Sequence, residues 1–511
     1  MVQNSPKAAT TPAAALPPQR SPLDRYFAIT RRGSTIGAEI RGGLVTFVTM
    51  AYIIALNPLI IGTVPDINGN LVSGLPFKVD GVVSGANIGT TIVMVAAATA
   101  LIGGLMTILM GVYARFPIGL ATGLGINALL AASLVLKMTW AQAMGLVVWE
   151  GILITILVLT GFRKAVFKAV PHSLRIAISV GIGLFIALIG LKDSGFVRSG
   201  TGTPVTLGIN GNLFGWPTLV FCVGLLLLIF LFVRKVKGAM LISVVGMTII
   251  SVILETVIHN GPYNDGVSIH PTGWQLNVPA ITGKLWDLPN LHLLFRVDMF
   301  GAFKGGPTVV LSVLLTIFAL LLSDFFDTMG TIFAIGSEGG LLDKQGNPPY
   351  MQQILIVDSL AAVAGGLGSV SSNTSYIESA SGVGEGARTG LASVVTGVGF
   401  LLALFLAPLV NLVPSEAAAP VLVLVGFLMM QQVSELDWRD LEEAIPAYAT
   451  MVLMPFTYSI TNGIGAGFVL YAGIKLARGK AKQVHPLMWV IAALFVIYFA
   501  QGIILHWMGL S

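Results

Sequence analysis

The chain is short of charge. Only 10% of its 511 residues are Asp, Glu, Lys or Arg, against about 25% in an ordinary soluble domain. That is too few to cover a water-facing surface of this size, so a single soluble globular domain is excluded. Disorder is excluded as well, because it needs low hydrophobicity and 55% of this chain is apolar. Cysteine is nearly absent. The one thiol, Cys222, lies inside an apolar run, which rules out a disulfide framework and a cysteine-type metal site. There are six histidines, none paired with an acid at metal-ligand spacing, and neither a His-Glu-x-x-His nor a Walker A pattern occurs. The expectation is therefore no metal, no cofactor, no ATP-driven step and no enzyme.

What the chain has in abundance is apolar length. Apolar runs recur from end to end of a chain that holds 60 Gly and 26 Phe. This is the pattern of an all-α polytopic membrane protein. The formal charge of +5 does not point to nucleic acid. The basic residues sit in short clusters between apolar runs, as in loops that face anionic membrane lipid on the cytoplasmic side. Residues 1–24 are rich in Pro, Ala and Ser and read as a disordered cytoplasmic tail with no signal-peptide core.

Fourteen spans fit between residues 43 and 477, and a further apolar run covers 486–509. With the N-terminus in the cytoplasm, most of the 28 basic residues fall in cytoplasmic segments. Dense groups are Arg31/Arg32/Arg41, Arg234/Lys235/Lys237 and Lys475/Arg478/Lys480/Lys482. A faint repeat accompanies this count. Val170-Pro171 opens a span with Gly183 beyond it, and Val413-Pro414 opens another with Gly426 at the same spacing. An odd number of spans per half would set the two halves upside down to one another, as in many secondary transporters.

Two segments do not look like ordinary spans. In 116-FPIGLATGLGINALLAASLV-135, Pro117, Gly119, Gly123 and Gly125 crowd the first half and Asn127 follows. In 366-GLGSVSSNTSYIESASGVGEGARTG-390, a polar run ends in Ser375, Tyr376 and Glu378. Each has room for only about ten helical residues, where a crossing needs about twenty. Short, Gly-interrupted segments at matching places of two halves point to a binding site at the bilayer midplane. The Gly123/Gly125/Ala128 match to a dinucleotide fingerprint is discounted, since no soluble strand precedes it.

Acids in apolar context are Glu150, Asp324, Asp327, Asp358 and Glu378. Each costs at least ~2.5–3.5 kcal/mol in a bilayer, so each needs a reason. For Glu150, Asp324 and Asp358 a structural acid bonded to neighbouring hydroxyls is a sufficient reading. Asp327 and Glu378 are the functional candidates. Asp327 lies in Asp-Thr-Met-Gly-Thr, which suggests a helix ending in a cavity, and Glu378 lies in the broken segment. Acids without a cationic neighbour can accept protons from a gradient, or hydrogen bonds from a ligand rich in N–H groups.

At these residues the chain resembles a known family. The runs RGGLVTFVTMAYIIALNP (41–58), GLGINA (123–128), DFFDTMGT (324–331), TSYIESASGVGEGARTGL (374–391) and MPFTYSITNGIGAGF (454–468) are similar to the AzgA-like branch of the nucleobase–cation symporter-2 family. Its members are adenine, guanine and hypoxanthine permeases. The resemblance covers roughly residues 25–509, and the usual aromatic after Asn-Ala is replaced here by Leu129-Leu130.

The resemblance implies fourteen spans as a 7+7 inverted repeat, with half-helices and short strands at spans 3 and 10. A core domain would comprise 25–160 and 307–411, and a gate domain 161–258 and 412–478. Residues 259–306 would form an external loop, and 479–511 an extra C-terminal segment. It implies proton-coupled uptake of a purine base by alternating access in the plasma membrane, with H+ preferred to Na+ as the coupling ion. Asn127, Asp327, Glu378 and the Ser375–Tyr376 stretch would bind the base, and Asp327 or Glu378 would carry the proton. Rival readings are an anion exchanger or channel on the same architecture, and an integral membrane enzyme. A homodimer through flat gate surfaces is a further expectation.

Overall fold

The computed structural model describes residues 21–160, 170–200, 202–264, 268–280, 286–343 and 347–507. Most of the expected tail, residues 1–20, lies outside the described residues. Its end does not: helix α1, Pro22–Phe27, begins where the Ser21 side chain accepts the Asp24 amide at 3.1 Å. Among the described residues ten helices are long and apolar enough to cross a membrane.

Helix α2, Ile36–Met50, starts at Thr35, whose hydroxyl caps the Ala38 amide. It breaks at Ala51–Tyr52 and resumes as α3, Ile53–Ile61, which carries Pro58. Helix α4, Gly85–Leu109, widens into a π-turn through Ala114 and stops at Arg115, which is left-handed at φ 52°. Pro117 cannot continue a helix, so the chain runs extended into strand β1, Leu120–Thr122. Only then does helix α5 start, Leu124–Leu129, prolonged to Leu134. Helix α6, Trp140–Leu159, follows, opened by a reciprocal Thr139–Gln142 cap.

Next come α7, His172–Asp193, α8, Trp216–Val233, and α9, Ala239–Ile258. The second half opens with α10, Pro307–Glu338, and α11, Met351–Leu367. Ser369 and Ser371 take left-handed backbone and turn the chain into strand β2, Asn373–Ser375. Short helix α12, Ser379–Gly384, leads to α13, Gly390–Ala403. The last four helices are α14, Ser415–Met430, α15, Leu441–Phe456, α16, Ile460–Ala477, and α17, Pro486–Trp507.

Strands β1 and β2 pair antiparallel, with Leu120 opposite Ser375 and Thr122 opposite Asn373. All six residues are buried. Backbone at this depth must find partners inside the protein, and the two strands supply them to each other. The outer edge of β1 is closed by Thr107, whose hydroxyl accepts the Leu120 amide at 2.8 Å and donates to the Leu120 carbonyl at 3.0 Å. Helices α5 and α12 follow the two strands within a few residues.

The repeat-related glycines meet. Helices α7 and α14 pack side by side. A Cβ on Gly426 would stand 2.4 Å from the Gly183 carbonyl, and one on Gly183 would stand 2.8 Å from the Gly426 carbonyl. Two spans can cross this closely only where neither carries a side chain. Helices α15 and α16 complete that group, and α8 and α9 lie against α14. Helix α17, the extra C-terminal run, packs on α16 and α10.

One expectation is corrected. Helix α10 does not end at Asp327–Thr331 but continues unbroken to Glu338. Gly330 alone costs a helix only about 1 kcal/mol. The Thr328 hydroxyl does not cap the backbone; it reaches sideways to Asp358 at 2.8 Å.

Candidate functional site

The broken backbone delivers its polar groups to one place. Tyr52 stands at the α2–α3 break, Gly123–Ile126 begin α5, and Thr374–Glu378 lead from β2 to α12. Together with Asp324, Asp327 and Thr331 of α10 they line one side of a cavity. The facing side comes from α7 (Ile178, Ser179, Ile182, Ile186) and α14 (Val425, Met429) and is largely apolar. A carboxylate-bearing wall opposite an aliphatic wall suits a flat ring with a polar edge.

Asp327 and Glu378 both open onto this cavity and remain partly accessible within it. One Glu378 oxygen accepts the Tyr52 hydroxyl at 2.6 Å, which fixes the carboxylate and leaves its other oxygen for a ligand. Sequence reasoning missed Tyr52. A phenol in an apolar span next to a helix break was the available signal, since a buried hydroxyl needs a partner.

Other expected residues take different places. Asn127 does not reach the cavity wall. It is fully buried and donates to the Asn57 side chain at 2.7 Å, and Asn57 donates in turn to Thr99 at 2.8 Å. One residue further along α5 than the lining stretch, it points into the bundle and ties the half-helix to α3. Ser375 and Tyr376 do line the cavity, but their donors are engaged. The Ser375 hydroxyl donates to Asp358 at 2.7 Å, the Tyr376 hydroxyl to the Thr122 carbonyl at 2.5 Å, and the Tyr376 amide to the Gly119 carbonyl at 3.0 Å. Tyr376 therefore braces the strand pair and presents its ring, not a donor.

Asp358 is held by hydroxyls, as its bland reading expects. Thr328 occupies one of its oxygens and Ser375 the other, and Thr328 also meets Thr374 at 2.8 Å. This network pins β2 to α10 and α11. Asp324 lines the cavity although nothing in its sequence context separates it from the structural acids. Among the described residues no group of three His, Cys, Asp or Glu is arranged to hold a metal ion. A larger cavity of about 1040 Å³ opens between the start of α4 and the chain after α9. Its only acid among the lining residues is Asp287, and none of the five intramembrane acids borders it.

A family model described as Permease family, of the xanthine/uracil type, matches residues 37–466. A putative permease of Methanocaldococcus jannaschii is 37% identical over 479 residues, covering 93% of this chain and 98% of that protein. The adenine permease AdeP of Escherichia coli is 35% identical, covering 93% and 95%. The guanine/hypoxanthine permease PbuG of Bacillus subtilis is 36% identical, covering 93% and 99%. Among solved structures, the transmembrane domain of the cyanobacterial bicarbonate transporter BicA superposes with a TM-score of 0.55 at 16% identity, over 84% of this chain and 96% of that one. That likeness is one of fold, the inverted-repeat transporter architecture.

Proposed function

The chain belongs to the xanthine/uracil permease family, and from that premise we propose that it carries a purine base (adenine, guanine or hypoxanthine) across a membrane in symport with a proton. It is a transporter and not an enzyme. The reading is carried by one observation: Asp327 and Glu378 share a cavity whose opposite wall is aliphatic.

A neutral purine offers a flat ring and an edge of N–H donors and ring-nitrogen acceptors. The free Glu378 oxygen takes an N–H of that edge, while Tyr52 steadies the other oxygen. Asp327 takes a second donor or carries a proton. Ile182 and Met429 cover the ring face. A site of this kind discriminates sharply, because the wrong base leaves buried polar groups unpaired. With its charge neutralised, the half-helix wall slides against α7 and α14 and opens the site to the other side. The same two acids disfavour an anion as cargo.

The test is labelled hypoxanthine uptake in cells stripped of their own purine carriers, with unlabelled purines and pyrimidines as competitors. Purines compete, pyrimidines do not, a protonophore stops accumulation, and replacing sodium has no effect. Accumulation that persists with every ion gradient collapsed contradicts the coupling. Tyr52→Phe keeps the ring and removes the donor to Glu378. A hydrogen bond to a charged group is worth about 1.5–3 kcal/mol, so KM for hypoxanthine rises about tenfold at unchanged surface abundance. An unchanged KM removes Tyr52 from the site.

A further inference from the structure

At the cavity wall lies a pair of acids, one lining the cavity and the other behind it. Glu150 comes from α6 and is fully buried; Asp324 comes from α10 and is 2% exposed. Their carboxyl groups lie within hydrogen-bonding reach of each other. The other polar groups that act on them are Asp358, Ser372 and Thr374, an acid and two hydroxyls, with no cation among them. None of the four carboxyl oxygens receives a well-formed hydrogen bond from a described residue; the nearest donors are the Ser372 hydroxyl beside Glu150 and the Thr374 hydroxyl beside Asp324. Two adjacent carboxylates cannot both stay charged in a buried site without a cation between them. A single proton resolves this: on one carboxyl it becomes the donor that the other lacks.

A second observation points the same way. The Ser372 hydroxyl is fully buried, makes no well-formed bond elsewhere and has Glu150 as its neighbouring acceptor. Helix α11 and β2 thus leave a polar atom aimed at the pair. A metal ion does not fit as the occupant. Asp358 is already engaged by Thr328 and Ser375, and among the described residues no three-ligand group is formed.

We propose that Glu150 and Asp324 are a carboxyl–carboxylate pair that holds the co-transported proton. The assignment rests on the reading of the protein as a proton-coupled purine carrier and places the proton within it. Asp324 borders the purine cavity and Glu150 does not. The proton enters from water in the cavity, forms an O–H bond within the pair, and returns to water on the opposite side. Asp324 lies one helical turn from Asp327, and Thr374 links the pair to the strand that leads into Glu378. Filling the pair and filling the purine site therefore act on the same β2 segment. Glu150 is a positioning and proton-holding residue that never touches the base.

The experiment uses purified full-length protein in liposomes with labelled hypoxanthine and an internal pH dye. In Glu150→Gln the amide supplies a permanent donor to Asp324. Hypoxanthine counterflow, which needs no net proton movement, should stay within about twofold of wild type. Accumulation driven by an imposed pH gradient should fall at least tenfold, and purine-dependent proton entry should disappear. Glu150→Gln that accumulates hypoxanthine with the wild-type pH profile overturns the assignment. If that variant does not insert, Glu150→Asp decides: a displaced pH profile supports the pair, and an unchanged one overturns it. Net hypoxanthine uptake by wild-type protein without any proton entry overturns the coupling as a whole, and wild-type protein without counterflow overturns the purine reading beneath it.

Discussion

Glu378→Gln is expected to reduce hypoxanthine uptake to the level of cells without the carrier. The substitution keeps size and shape. It replaces a pure acceptor by a group that is half donor, so one edge of the side chain meets the purine N–H groups donor to donor. The charge that strengthened those bonds is lost too. The lost bond to a charged group is worth about 1.5–3 kcal/mol, and the purine N–H left facing a donor costs about 1–3 kcal/mol more, together on the order of a hundredfold or more in binding. Tyr52 can still donate to the remaining oxygen, so the fold has no reason to fail. Asp327→Asn should behave in the same way through the partner acid. Uptake is compared at matched surface abundance, measured by labelling intact cells. Wild-type rates in either variant would remove that residue from the purine site.

Gly426→Leu is expected to have the largest structural effect. A Cβ at this position meets the Gly183 carbonyl at 2.4 Å, a contact between two backbones that no rotamer change relieves. Helices α7 and α14 must part, and both supply the aliphatic wall of the cavity. Overpacking a tight contact costs about 1–3 kcal/mol, and separating two helices at their closest point lies at the upper end. Purified yield should fall severalfold, the thermal midpoint should drop by several degrees, and purine uptake should be lost. Gly246→Ala on α9 is the control, because a Cβ there meets nothing within 4 Å. Equal behaviour of the two variants would mean that the Gly183–Gly426 crossing does not set the packing of α7 and α14.

The repeat behind this crossing was legible in the sequence, because a Val-Pro start and a glycine at fixed spacing recur in both halves, but that the two glycines meet was not. The half-helices were legible for a related reason. Proline, glycine and polar residues crowded into an apolar run cannot form a full span, whatever surrounds them. The strand pairing was not. Leu120 and Ser375 are far apart in the chain, and no local pattern fixes their register. Side-chain direction was also hidden. Asn127 falls in the right segment yet faces Asn57, since one position along a helix turns a side chain by about 100°. The Asp327–Thr331 run misled because Thr328 and Gly330 weaken a helix only locally, and tertiary bonds to Asp358 hold it. Glu150 stood alone in α6, and only the folded chain brings Asp324 beside it.

A structure of the protein with hypoxanthine bound is the most direct measurement. A bicyclic ring should lie with its N–H edge toward Glu378 and Asp327 and its face against Ile182 and Met429. A ring seated instead in the larger cavity by Tyr263 and Asn411, with the half-helix pocket holding only water, would contradict the account.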